Sequence, residues 1–92
     1  MRREYIIVND SGLHARPASL LVQEAAKYPN NSFIEFNGTK LTLKSIMAVM
    51  SLGIPTKGKI AIEVDGDDAL EIFLALEKIL EEHQLVWGKS ER

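Results

Sequence analysis

The segment Ser11-Gly12-Leu13-His14-Ala15-Arg16-Pro17-Ala18 holds the residue types best suited to chemistry. A glycine-bearing turn delivers an imidazole to the point where a helical pattern begins. A proline in the first helical turn is tolerated, because amide groups there have no intrahelical partner. The remaining N–H groups and the positive end of the helix dipole favour an anion. The planar donors of the Arg16 guanidinium suit phosphate oxygens. A nucleophilic imidazole beside such a cradle is what reversible phosphorylation on histidine requires. A histidine at a helix start is, by itself, equally a cap or a surface residue. The combination with glycine, arginine and proline points to phosphoryl chemistry, and the residues alone leave both readings open.

Other segments carry weaker chemistry. Gly53-Ile54-Pro55-Thr56-Lys57-Gly58-Lys59-Ile60 approaches a nucleotide-binding loop, but Ile60 stands where a hydroxyl is needed and a strand follows where a helix should. His83 reads as a dipole partner at a helix end, and Asp67-Asp68 as acids at a helix start. No cysteine is present, which removes disulfides, thiol nucleophiles and cysteine-ligated metals.

The elements that position these residues follow from turn signals and periodicity. Tyr5–Val8 reads as a strand ended by Asn9-Asp10-Ser11-Gly12. From Ala15 to Lys27 the spacing predicts a helix, stopped at Tyr28-Pro29. Ser32–Phe36 and Lys40–Leu43 flank Asn37-Gly38, the pair suited to a type I′ hairpin. Ser45–Ser51 reads as a short helix with Ser45 as N-cap. Lys59–Asp65 alternates, placing Ile60, Ile62 and Val64 on one face. Asp68 and Glu71 form a capping pair before a long helix whose buried stripe is Ala69, Phe73, Leu76 and Leu80, broadened by Ile72 and Ile79. The order β-α-β-β-α-β-α predicts an α+β open-faced sandwich: a four-stranded antiparallel sheet covered on one face by three helices.

Ninety-two residues fit one domain. Residues 1–84 are expected to form it and 85–92 a loose tail, with Trp87 able to fold back. The net charge of −2 argues against a nucleic-acid footprint. That sum conceals an asymmetry: residues 67–92 carry seven acids and three bases, residues 1–66 eight bases and six acids. The acidic excess reads first as a solvated helix face; the alternative reading places any anion on the earlier part, on a surface that includes Arg16 and Lys44. No apolar run reaches the ~18 residues of a membrane span, so no membrane insertion is expected and a reducing cytoplasm is the expected compartment.

Gly12-Leu13-His14-Ala15-Arg16-Pro17-Ala18 resembles the active-site signature of HPr, the histidine-containing phosphocarrier family of the bacterial phosphoenolpyruvate-dependent sugar phosphotransferase system. Lys44-Ser45-Ile46-Met47-Ala48-Val49-Met50-Ser51-Leu52-Gly53 resembles the regulatory serine motif of Gram-positive-type members. The resemblance covers about residues 3–84. It implies that His14 accepts a phosphoryl group on Nδ1 from enzyme I and passes it to IIA domains of sugar permeases. Arg16 would neutralise the phosphate, and the Ala15 and Arg16 amides, with Pro17 fixing the turn, would form its cradle, flanked by Ser11 and Ser19. Ser45 would be modified by a serine kinase/phosphorylase, turning the protein into a corepressor of a catabolite-control transcription factor. Leu20, Ile46, Met47 and Met50 are expected to face partners; core packing is the alternative for Ile46, Met47 and Met50, and suits Val49 and Met50 best. The resemblance implies a stoichiometric carrier, not an enzyme, with no cofactor, no metal and no direct nucleic-acid contact. A mainly regulatory corepressor is the alternative, but that branch lacks the active-site histidine. The chain departs from the commonest pattern at Ser19, where threonine is frequent, and at Ala48, where glycine is frequent.

Overall fold

A computed structural model describes residues 1–86. Its elements are β1 (Arg2–Ile6), α1 (Ala15–Ala25), β2 (Ser32–Phe36), β3 (Thr39–Thr42), α2 (Ile46–Ser51), β4 (Lys59–Val64) and α3 (Ala69–Glu82). The strands form one antiparallel sheet in the order β1-β4-β2-β3. This is the expected open-faced sandwich.

The alternation along β4 sets the two faces. Ile60, Ile62 and Val64 point into the core with Ile34 of β2 and Tyr5 of β1, where Leu21 of α1 and Phe73, Leu76 and Leu80 of α3 meet them. The other face is held by ion pairs: Arg2 with Glu4 and Glu35, Lys59 with Glu4, and Lys40 with Glu63. The β2–β3 turn is built as Asn37-Gly38 predicts, with both residues at positive φ (56° and 84°).

Three differences from the sequence reading have physical causes. β1 lies at Arg2–Ile6, displaced towards the N-terminus from Tyr5–Val8. Its register runs from Arg2 opposite Glu63 to Ile6 opposite Lys59, so charged residues occupy the open face of an edge strand, where no apolar pattern marks them. The Ile7 and Val8 amides donate instead to Gly58 O and Leu85 O (2.9 and 2.7 Å). Asp68 stands at the N-cap of α3 but makes no side-chain cap bond there. Its Oδ1 accepts from Asn30 Nδ2 at 2.7 Å, tying the loop after α1 to the one before α3.

The boundary expected at residue 84 is corrected: Leu85 and Val86 are core residues. Gln84, at φ 56°, turns the chain back after α3. The Leu85 amide reaches Leu80 O and the Gln84 amide Glu81 O (2.9 and 3.0 Å), a Schellman closure without its usual glycine. Trp87 and the rest of the expected tail lie outside the described residues.

Candidate functional site

The turn before α1 is braced by a segment far away in the sequence. Gly12 adopts φ +68°, and a Cβ there would collide with the carbonyl oxygen of Ile54. The Gly12 amide donates to Asn9 O (3.2 Å) and the Leu13 amide to Ile54 O (3.0 Å). Ile54 follows the exit of α2, so one short connection joins that helix to the turn presenting His14.

His14 is the N-cap residue of α1, in extended backbone conformation (φ −88°, ψ −178°), and its side chain caps nothing. The imidazole is exposed, with Nδ1 3.2 Å from Gly12 O. Because a carbonyl oxygen only accepts, that contact is a hydrogen bond when Nδ1 carries the proton. The first helical closure runs from the Ala18 amide to His14 O at 3.1 Å. Pro17 has no N–H, which leaves the Ala15 and Arg16 amides as the free donors of this helix start. No acid stands in the first turn of α1 to offset the dipole. The Arg16 side chain is exposed and forms no ion pair or hydrogen bond among the described residues. This geometry suits an exposed anion held at the histidine.

Ser45 is the N-cap of α2, and its Oγ accepts from the Ala48 amide at 3.1 Å. Val49 is the buried residue of that helix, while Ile46, Met47 and Met50 are exposed. Leu20 is half-buried on α1, which packs against α2.

Residues 1–82 match the family model described as "PTS HPr component phosphorylation site". The chain belongs to the HPr family. It is similar to the histidine-containing phosphocarrier protein from a Mycoplasma, at 40% identity and TM-score 0.92, with 96% of this chain and 100% of that one covered. HPr from Bacillus anthracis gives 40% identity and TM-score 0.77 over 86% of this chain and 94% of that one. The Bacillus subtilis catabolite-repression protein Crh gives 38% and 0.68, over 80% of this chain and 85% of that one. HPr proteins are phosphocarriers of the phosphotransferase system, and that general role applies to this member.

Within this HPr chain the flanking hydroxyls do not orient the imidazole. Ser19 Oγ accepts from Gln23 Nε2 (3.2 Å), and Ser11 makes no side-chain hydrogen bond among the described residues. Lys44, expected on the anion-facing surface, directs its ammonium to Tyr28 O at 2.7 Å, where it ties the chain after α1 to the approach to α2. The brace from Ile54 escapes sequence reading: Gly12 signals a turn, but nothing along the chain says which backbone crowds it. No group of three or more potential metal-ligating His, Asp or Glu side chains occurs among the described residues. No helix among them is long and apolar enough to cross a membrane.

Proposed function

We propose that this chain relays a phosphoryl group through His14, from phosphorylated enzyme I to IIA domains of sugar permeases, in the cytoplasm. The observation that carries the reading is an exposed imidazole at the start of α1, beside two unpartnered amides and a free guanidinium. In the step itself an electron pair on Nδ1 forms the bond to phosphorus as the donor's bond to phosphorus breaks. The ring must first give up its contact with Gly12 O and carry its proton on Nε2, leaving Nδ1 free to attack. Amides of Ala15 and Arg16, with the Arg16 side chain, then meet the transferred oxygens. Pro17 sets the helix entry. Such transfer needs positioning and charge stabilisation above all, and the partner enzymes supply the catalysis.

Ser45 is the regulatory site in this reading, the target of a serine kinase/phosphorylase. A phosphate there adds about −1.5 to −2 charges at an N-cap, where the helix dipole accepts them. The fold survives while an acidic group appears beside the apolar face of Ile46, Met47 and Met50 that docks partners along with Leu20. The same modified face is the one a catabolite-control transcription factor would read. The likeness to Crh supports a regulatory role, but the histidine and its free donors favour the relay as the main activity.

Incubation with enzyme I and labelled phosphoenolpyruvate tests the relay. Wild type is expected to take up label and His14→Ala to take up none. Equal label in both, or none in either, overturns it.

A further inference from the structure

The outer face of α2 carries a chemical group that phosphoryl transfer does not use. Two of the three methionines lie on this six-residue helix. Met47 is 80% exposed, against 39% for Met50 and 43% for Met1, and Ile46 beside it is 37% exposed. Met47 is absent from the core cluster and from the apolar residues packed against it. Met47 is thus the methionine most open to a dissolved oxidant, on the very surface assigned above to partner docking.

We infer that Met47 is an oxidation site whose sulfoxide withdraws α2 from docking. The oxidant is a hydroperoxide. A lone pair on Sδ attacks the terminal, hydrogen-bearing oxygen of the hydroperoxide, the S–O bond forms as the O–O bond breaks, that oxygen's proton passes to the departing oxygen, and the sulfur gives up two electrons. The other oxygen leaves reduced, as water from hydrogen peroxide or as an alcohol from an organic peroxide. An adaptable apolar side chain becomes a polar, chiral one. Docking would then have to desolvate the sulfoxide dipole against a partner surface that fits a thioether. The helix itself stays in place, because Ser45 caps it and Val49 anchors it. The change is reversible by peptide-methionine sulfoxide reductase, which gives the carrier a redox-sensitive state separate from phosphorylation at Ser45. This inference rests on the reading that α2 meets the phosphoryl donor.

The test uses the full chain, graded hydrogen peroxide and peptide mass mapping. Met47 is expected to gain oxygen before Met50 and Met1. At complete Met47 oxidation, the rate of His14 phosphorylation by enzyme I should fall about fivefold or more, as for loss of an interface anchor. Circular dichroism should stay unchanged, and reductase should restore the rate. Met47→Leu, normalised to its own untreated rate whatever that is, should lose far less on the same treatment. The inference fails if Met47 lags the other methionines, if full oxidation leaves the rate intact, if the loss follows unfolding, or if Met47→Leu falls equally. An untreated protein that takes no label overturns the relay reading itself, and this switch with it.

Discussion

At position 12 the backbone leaves no room for a single carbon. Gly12 combines a left-handed φ with the close approach of the Ile54 carbonyl, so Gly12→Ala meets both backbone strain and a steric clash. The expected cost is about 1–3 kcal/mol, from the strain of a non-glycine residue at positive φ, measurable as a lower urea midpoint. Phosphorylation of His14 should slow by more than any loss of folded protein explains, because relief of the clash displaces Leu13 and the imidazole beside it. A rate that tracks the folded fraction alone would refute that second effect. The placement of His14, Arg16 and Pro17 at the start of α1 was legible because turn and helix-start signals are local. The bracing carbonyl of Ile54 was not, since contacts between residues far apart in the chain leave no spacing signal.

Among the elements, α2 is the helix whose integrity rests on the fewest residues. Its six residues are too few to be stable alone, so the Ser45 cap and the burial of Val49 hold it. Ser45→Ala should cost about 0.5–2 kcal/mol by loss of that cap, read from urea unfolding. Ser45→Asp keeps a capping oxygen, so its stability should stay near wild type while phosphorylation of His14 by enzyme I slows. An unchanged rate would argue against charge repulsion at this face. The α2 cap was readable because serine before an apolar helical run has a local job. The Asp68 cap was misread for the converse reason: Asn30, distant in sequence, competes for the same carboxylate. Glu77 escaped notice as well. It lies in the helical pattern of α3 as an ordinary charged residue, yet it is buried, with Arg3 at 3.3 Å and the Tyr5 hydroxyl at 3.1 Å. Edge strand β1 is fastened to α3 through that carboxylate, a pairing that periodicity cannot reveal.

Across the whole molecule, titration opposes folding at both ends of the pH range. The Lys59 ammonium and then Arg2 hold Glu4 below its ordinary 4.5, and Lys27 and then Tyr28 do the same for Glu24. Depressed carboxylates stabilise the fold above 4.5, and that contribution is lost as pH falls through their lowered values. Because Glu4 is solvent-exposed, salt screens much of its share. At the alkaline end the sign reverses. Burial, reinforced by Glu77, raises the Tyr5 phenol well above its ordinary 10.0. The folded state thus prefers the protonated phenol, and its contribution is complete below 10.0 and disappears as pH rises through the raised value. Tyr5→Phe isolates this term. At neutral pH it removes a donor from the buried Glu77 carboxylate and should cost about 1–3 kcal/mol. Above 10.0 wild type loses stability that the phenylalanine variant never had, so their urea midpoints should converge. A gap that persists undiminished through that range would show that the Tyr5 hydroxyl does not couple its proton to the attachment of β1.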